Sequence, residues 1–467
     1  METALRTVNA LISALFFICY AYQFLYIPLV LAKKQRPLPC PPSPHRYAVL
    51  IAARNEAAVI GGLLDSLRQQ TYDPALLTVF VVADNCTDGT ADIARRRGAV
   101  VYERFNHINV GKGYALDFLT QHIKADYPDG FDGYFVFDAD NVLSPDYIER
   151  MNAVFSGGYE IVTSYRNSKN YADNWISAGY ALWFLRESRY LNGARMRLGT
   201  SAAVGGTGFL FSQRILDKTN GWQFYLLTED IEFSVRHITD GEIIAICEDA
   251  VLYDEQPTDF RQSCRQRLRW AKGYIQVFQK YGGKLLKGAA RGSWSCFDMA
   301  MAIMPAFVLT CVSILANVTL AGIGLAEGAG LWFAMRSLLE CLGGIYLTLL
   351  AIGAVTTATE WDRIQAPAWQ KVMYTFSFPL FMFTYIPISF AALFMKVEWK
   401  PIRHGAAARL PANLMKNYLN SSLYSKRIVE SLGLTGCIRV SPLHCHDAND
   451  IDDFLRITAE IAREFSR

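Results

Sequence analysis

The stretch Phe135-Val136-Phe137-Asp138-Ala139-Asp140 sets two carboxylates directly behind three apolar residues. The apolar run reads as the end of a buried strand, and open α/β sheets bind ligands outside the carboxyl ends of their strands. Side chains at i and i+2 of an extended chain point the same way. Asp138 and Asp140 are therefore expected to share one side of that lip. Two hard oxygen donors so placed suit a divalent cation that also holds a diphosphate. A lone Asp-x-Asp is equally an ordinary solvated turn, so other polar clusters must decide between the two readings.

Six such groups stand in the chain. Arg54 and Glu56 follow an apolar run that ends at Ala53, and Asp84 closes a second run. Placement at strand ends makes them candidates for a ligand pocket; as isolated residues, Arg54 and Glu56 are also ordinary loop charges. In Gly111-Lys112-Gly113 the glycines permit close backbone approach, and Lys112 offers a cation to a nucleotide's phosphate or base. The spacing is not that of a Walker A loop. Gly205-Gly206-Thr207-Gly208 precedes Phe209-Leu210-Phe211 and reads as a bare backbone surface for a ligand or as a tight turn before a strand. Thr228-Glu229-Asp230 opens a helical pattern that Thr228 is expected to cap. In Gln266-Arg267-Leu268-Arg269-Trp270, Arg269 suits a bidentate grip on a diphosphate, or a surface salt bridge.

These clusters need a scaffold. Tyr47–Ala53, Leu77–Val82, Val100–Tyr102 and Tyr134–Phe137 read as buried strands. Glu56–Gln70 has apolar residues at helical spacing, and another helix begins near Ala91. Strand–helix alternation predicts a mixed, mostly parallel sheet covered on both faces over residues 46–285. Asp173–Asn192 and Ser263–Tyr281 mix aromatic and basic residues and are read as interfacial or packed surface helices.

Composition asks for more than a soluble domain. Hydrophobic residues make up 52% of the chain and charged ones 19%, which fits one soluble domain plus a few membrane segments. The net charge of +3 is small and points to no nucleic acid. Ten cysteines without a Cys-x-x-Cys pair argue against zinc or a disulfide framework and suit a reducing compartment. Val8–Ala32 is long enough to cross a bilayer, so residues 1–36 are an expected anchor, with Lys33, Lys34 and Arg36 marking the cytoplasmic end. Residues 37–45 form a proline-rich linker. Within a C-terminal membrane region, 286–400, spans are expected at 298–325 and 331–358. A third segment, 374–395, holds Pro379 and Pro387 and is read as spanning or re-entrant. Residues 401–467 form a polar tail, expected to be cytosolic.

Taken together, Asp84, Asp138-Ala139-Asp140, Thr228-Glu229-Asp230 and Gln266-Arg267-Leu268-Arg269-Trp270 resemble, in order, the motif set of the processive family 2 glycosyltransferases: cellulose, chitin and hyaluronan synthases. The 36 residues from Asp230 to Gln266 match the family interval. The resemblance implies a GT-A domain that takes a UDP-sugar donor with Mg²⁺ or Mn²⁺. It further implies Asp140 and Asp138 as metal and diphosphate holders, with Asp138 leaning toward the nucleoside. Arg54, Glu56, Asp84 and Lys112 complete the donor site it implies. Asp230 becomes the general base of a single inverting displacement, with Glu229 and Glu232 as alternatives. Gln266, Arg269, Trp270, Gly206, Thr207 and Glu229 are assigned to the diphosphate and the acceptor, Trp270 as a platform for the acceptor's terminal sugar. The expected enzyme is a multi-pass hexosyltransferase of the inner membrane, with its catalytic domain in the cytoplasm, extending a β-linked polysaccharide. Transfer of one sugar to a lipid, as in the similar ceramide glucosyltransferases, is the alternative. A catalytically dead glycan-binding membrane protein is the alternative of another class.

Overall fold

Alternation of side chains along the apolar runs builds two cores from one sheet. The computed structural model describes residues 2–33, 42–304 and 331–398, with isolated positions between 312 and 326. In β1 (Tyr47–Ala53), Ala48 and Leu50 enter one core while Tyr47, Val49 and Ile51 enter the other. The strands expected from 77 and 134 become β2 (Leu77–Asp84) and β4 (Gly133–Asp138), and β3 is Val100–Arg104. The sheet adds β5 (Val142–Leu143), β6 (Ile161–Ser168), β7 (Phe209–Ser212) and β8 (Ile244–Asp254). Spatial order is β3-β2-β1-β4-β7-β6-β8-β5. β1 pairs in parallel with β2 and β4, β2 with β3, and β6 with β8. Antiparallel pairing enters through β7, between β4 and β6, and through β5 against β8. This is the GT-A-like α/β fold with a mostly parallel sheet.

One face carries α2 (Ile60–Arg68), α3 (Thr90–Arg96) and α5 (Tyr147–Ser156). The other carries α4 (Lys112–Asp126), α8 (Gln213–Lys218), α9 (Glu229–Thr239) and parts of α10 (Phe260–Ala290) and α11 (Trp294–Ile303). The helix expected from Glu56 starts four residues later: Glu56 accepts the N–H groups of Val59 and Ile60, so the intervening residues form a turn. The chain runs outward through β1, β2 and β3, then returns to place β4 on the far side of β1. The crevice beside such a reversal is where open α/β sheets hold ligands.

The segment 173–192 resolves into two parts. Asn174 caps α6 (Trp175–Arg186) with a reciprocal bond to Ser177, and residues Glu187–Asn192 continue as a π turn into α7 (Gly193–Leu198). Nearly every α6 side chain is buried, so it is a packed helix rather than one lying on a surface. It is covered by α13 (Ala368–Phe383): a Cβ on Gly179 would stand 2.4 Å from the Phe381 ring. α10 is longer than expected and buries one stripe, including Ser263, Arg267, Val277, Tyr281 and Leu285.

Among the described residues, three helices are long and apolar enough to cross a membrane: Thr7–Ala32 in α1 (Glu2–Ala32), Leu342–Thr359 in α12 (Leu331–Thr359), and Ala368–Phe394. The last breaks at Thr384 between α13 and α14 (Tyr385–Phe394), where the prolines led us to expect an interruption. Large apolar side chains are exposed along all three, Phe17, Leu347 and Phe376 among them, as lipid-facing surfaces require. At the start of the segment 298–325, Asp298 is buried in α11, and most of the segment beyond Met304 lies outside the described residues. The tail 401–467 and most of the linker 37–45 also lie outside them.

Candidate active site

Strand parity explains the first contact of the site. Tyr134 and Val136 face the core that α4 covers, and Asp138 continues that alternation. Lys112, the first residue of α4, therefore meets it: Nζ donates to Asp138 Oδ1 at 2.5 Å and to the Gly206 carbonyl at 2.7 Å. β4 ends at Asp138, and Asp140 sits in the following turn. The two carboxylates thus do not project from one extended segment. The Asp138 side chain is 39% exposed, while Asp140 is buried and accepts the Glu255 N–H at 3.0 Å. Asn141 joins them: its Oδ1 accepts the Asp138 N–H at 3.0 Å and its Nδ2 faces Asp140 Oδ1 at 3.4 Å. Thr207, expected at the acceptor, is turned inward and accepts the Asp138 N–H at 2.9 Å. It is a support of the Asp138 loop.

The other strand ends fold toward the same place. Asn55 and Asn85 stand at φ 59° and 52° immediately beyond β1 and β2, a conformation asparagine tolerates better than most residues. Asp84 is 4% exposed and its Oδ1 accepts Arg104 at 2.6 Å and Asn85 Nδ2 at 3.1 Å. It therefore has a fixed cationic partner. Gly113 serves protein packing, not a ligand: a Cβ there would lie 1.9 Å from the Phe224 carbonyl oxygen. Gly208 combines φ 67° with a Cβ position 1.8 Å from Leu252 Cδ2, so the glycine-rich run is a tight turn before β7.

The acidic cluster at the start of α9 separates into different environments. Glu232 is fully buried, accepts the N–H groups of Tyr225 and Leu226 at 3.0 Å each, and pairs with Lys280 at 2.6 Å. Its acceptor positions are taken by the protein, which removes it as an alternative base. Glu229 and Asp230 face the cavity described below, and burial raises the pKa of both. The Asp230 charge raises Glu229 further, while Lys112 and Arg269 oppose the rise at both. Lys112 itself is drawn down by burial, yet Asp138 and Glu229 outweigh that and keep it cationic. Thr228 occupies the N-cap position, but its hydroxyl makes no cap bond and packs against Gly273.

On α10, Arg269 donates to the Leu227 carbonyl at 3.0 Å and makes no ion pair among the described residues. Gln266 Oε1 is buried without a hydrogen-bond partner. Trp270 packs edge-on against Tyr180, with centroids 5.7 Å apart. Arg267 points elsewhere: it is fully buried, donates to Thr384 Oγ1 at 2.5 Å and stacks over Phe381 and Tyr385. It clamps α10 to the break between α13 and α14.

Arg54, Glu56, Asp84, Lys112, Asp138, Asp140, Gly206, Glu229, Asp230, Gln266, Arg269 and Trp270 all line one cavity of about 1700 Å³; Thr207 does not. The cavity continues to apolar residues on the candidate spans, among them Phe16 and Phe24 of α1, Ile345 of α12 and Ile386 of α14. Sequence reasoning missed Arg104, Asn141 and Arg166, while Asp254 stands in the stretch Tyr253–Pro257 that also resembles the family. Arg166 Nε holds Asp254 at 2.6 Å beside the Asp140 turn. Asn141 had a signal in adjacency, since it follows Asp140.

The donor set fits a magnesium-like ion. Mg²⁺ is commonly bound through one or two carboxylates and substrate phosphates. Asp138 and Asp140 supply two carboxylates on the cavity wall, and no group of three or more potential ligands forms a cage among the described residues.

Residues 44–273 match the family model described as glycosyltransferase like family 2. A β-monoglucosyldiacylglycerol synthase of Nostoc sp. is 26% identical over 282 residues, 57% of this chain and 57% of its own length. A probable glycosyltransferase of Bacillus subtilis is 26% identical over 266 residues, 52% of this chain and 58% of its own. The chain thus spans somewhat over half the length of these relatives. A mannosyltransferase of Pyrobaculum calidifontis, solved with GDP-Man and Mn²⁺, aligns at TM-score 0.49 and 18% identity, covering 83% of this chain and 99% of that one.

Proposed function

We propose that residues 44–273, a domain of glycosyltransferase family 2 with a GT-A-like fold, transfer a sugar from a UDP-sugar to a hydroxyl of a membrane lipid, inverting the anomeric carbon. One observation carries this reading. A single cavity joins the acidic cluster to apolar side chains on three candidate membrane spans, so a hydroxyl at Asp230 can belong to a molecule whose tail stays among apolar groups. The names of the diacylglycerol-type relatives support it independently.

Asp230 takes the proton of the acceptor hydroxyl as that oxygen bonds to the anomeric carbon and the bond to the diphosphate breaks. Burial raises the Asp230 pKa, which strengthens it as a base, and a positioned base contributes typically ~10²–10⁴ in rate. Asp140 and Asp138 would hold Mg²⁺ or Mn²⁺, and the chemistry such an ion supplies is Lewis-acid neutralisation of the departing diphosphate. Lys112 and Arg269 add fixed positive charge on the same wall. Gln266, with its unpartnered Oε1, accepts a hydrogen bond from the sugar or the acceptor.

Extension of a β-linked polysaccharide is the second reading. Trp270, on the cavity wall, suits stacking of a glycan terminus, and the motif order brings that reading forward. The test is to incubate the purified full chain, in phosphatidylcholine vesicles containing diacylglycerol, with a panel of UDP-sugars and Mg²⁺ or Mn²⁺. Glycolipid carrying one or a few sugars is expected; a ladder of long chains overturns the lipid reading in favour of the polymer. Asp230→Asn is expected to lower turnover by at least ~10² while UDP binding persists. Normal turnover in that variant removes the base assignment.

A further inference from the structure

The π turn Glu187–Asn192 holds its side chains unequally. Ser188 Oγ accepts the Arg166 N–H at 3.1 Å, Arg189 pairs with Glu248 at 2.6 Å, and the Tyr190 hydroxyl donates to Thr359 Oγ1 at 2.6 Å. These three anchors fix the turn in the domain. Arg186 and Glu187, at its beginning, instead line the cavity. The Glu187 carboxylate forms neither a hydrogen bond nor an ion pair among the described residues. The Arg186 guanidinium lies 5.3 Å from the Trp183 ring and donates only to Gln23 Oε1 of α1, at 2.9 Å, with no carboxylate within ion-pair reach among those residues.

An arginine and a glutamate adjacent in sequence, both facing one cavity and not paired with each other, present one acceptor and several donors to whatever enters. π turns of this kind often occur at functional sites. Glu187 is close enough to Asp230 for its pKa to respond to that charge. Glu187, Asp230 and Glu229 bring three carboxylates to a wall that Arg166, Arg186, Lys112 and Arg269 also line. A plain diacylglycerol has a single hydroxyl, and Asp230 would take it. A carboxylate beside Asp230 calls for a second one.

We propose that Arg186 and Glu187 form the acceptor's head-group subsite, and that the preferred acceptor is a lipid bearing a polyhydroxyl head, such as a sugar, rather than a bare hydroxyl. Glu187 accepts a hydrogen bond from a hydroxyl neighbouring the reacting one. Arg186, steadied by Gln23, donates to a head-group oxygen. The subsite rests on the lipid-acceptor reading above and adds to it the class of head group.

The test compares two acceptors, glucosyldiacylglycerol and diacylglycerol, in phosphatidylcholine vesicles with the full chain and the UDP-sugar that the panel identifies. Wild type is expected to favour glucosyldiacylglycerol at least tenfold in kcat/KM, through a lower acceptor KM. Glu187→Gln and, separately, Arg186→Gln are expected to bring that ratio to within about twofold of one. A purely structural role would depress transfer to both lipids together and leave the ratio standing, which overturns the subsite. Equal use of the two lipids by wild type overturns it as well. If UDP is released but neither lipid is glycosylated, the lipid reading itself falls, and the subsite with it.

Discussion

In the proposed reading, Lys112 is where the donor and acceptor halves of the site meet. It bonds Asp138 on the donor side and lies 4.0 Å from Glu229 on the other. Its charge also opposes the burial-driven rise of the Asp230 pKa. Removing it lets that pKa climb, so a larger share of Asp230 is protonated at a given pH. For Lys112→Met the acid limb of the kcat–pH profile should move to higher pH by about one unit or more, checked by steady-state rates from pH 5 to 9. A limb that stays in place would separate Lys112 from the base. His237 provides a test of folding at the same scale. Neither ring nitrogen has a partner, and burial pushes its pKa down to about 4. An unfolded histidine titrates near ~6.5. The native state therefore resists the proton that the unfolded state takes up. Stability is full above that value and falls as pH drops toward 4, by up to about 3 kcal/mol. His237→Leu, set against the Phe233 ring, should flatten this part of the stability–pH curve, read by denaturant unfolding at pH 7 and 5.

Among elements, α1 and α11 are joined by a buried charge. Asp298 accepts Arg195 at 2.7 and 2.9 Å and the hydroxyls of Tyr22 and Tyr26 at 2.7 and 3.0 Å. Both ionised side chains are almost wholly buried. Breaking one partner of such a pair leaves an uncompensated charge, at a cost of about 3–5 kcal/mol. Asp298→Ala should therefore lower the thermal midpoint markedly, while the double change Arg195→Met with Asp298→Leu should recover much of the loss. Equal losses in the single and double variants would argue against this account. Arg267 ties α10 to the break after α13 in a similar way, through carbonyl, hydroxyl and ring contacts. The helix that supplies Gln266, Arg269 and Trp270 is thereby held to the candidate membrane helices, and the position of the site depends on that junction.

For the molecule as a whole, the arrangement of apolar surface sets the expected behaviour. The two cores of the α/β domain are buried apolar clusters, while the large exposed apolar side chains concentrate on the three candidate spans. The full chain should stay with the membrane pellet after carbonate washing and enter solution only with detergent, as followed by immunoblot. Release by carbonate alone would reduce these helices to surface attachments. The cavity belongs to this scale too, since its walls come from the sheet, α10 and the spans together.

The sequence by itself determined β1 to β4, because runs packed on both faces of a sheet are apolar, and three of those runs located a cluster at their carboxyl end. It also supplied the site's residue types, since Asp-x-Asp, Glu229-Asp230 and Gln266 to Trp270 are each local in the chain. The antiparallel insertion of β7 was not legible, because the short run Phe209–Phe211 carries no sign of which strands it will join. Nor were the roles of similar residues distinguishable by type. Glu232 and Asp230 stand two apart on one helix, yet only the fold surrounds the first with four donors and leaves the second facing a cavity. Thr207 and Gly206 are neighbours, and only the turn into β7 sends the threonine inward to Asp138. Glu187 drew no attention in the sequence. Its importance comes from three anchors, on β6, β8 and α12, that are far apart in the chain. Periodicity and motif spacing record local constraints, whereas the partner a polar side chain finds is a matter of which distant segments are packed against it.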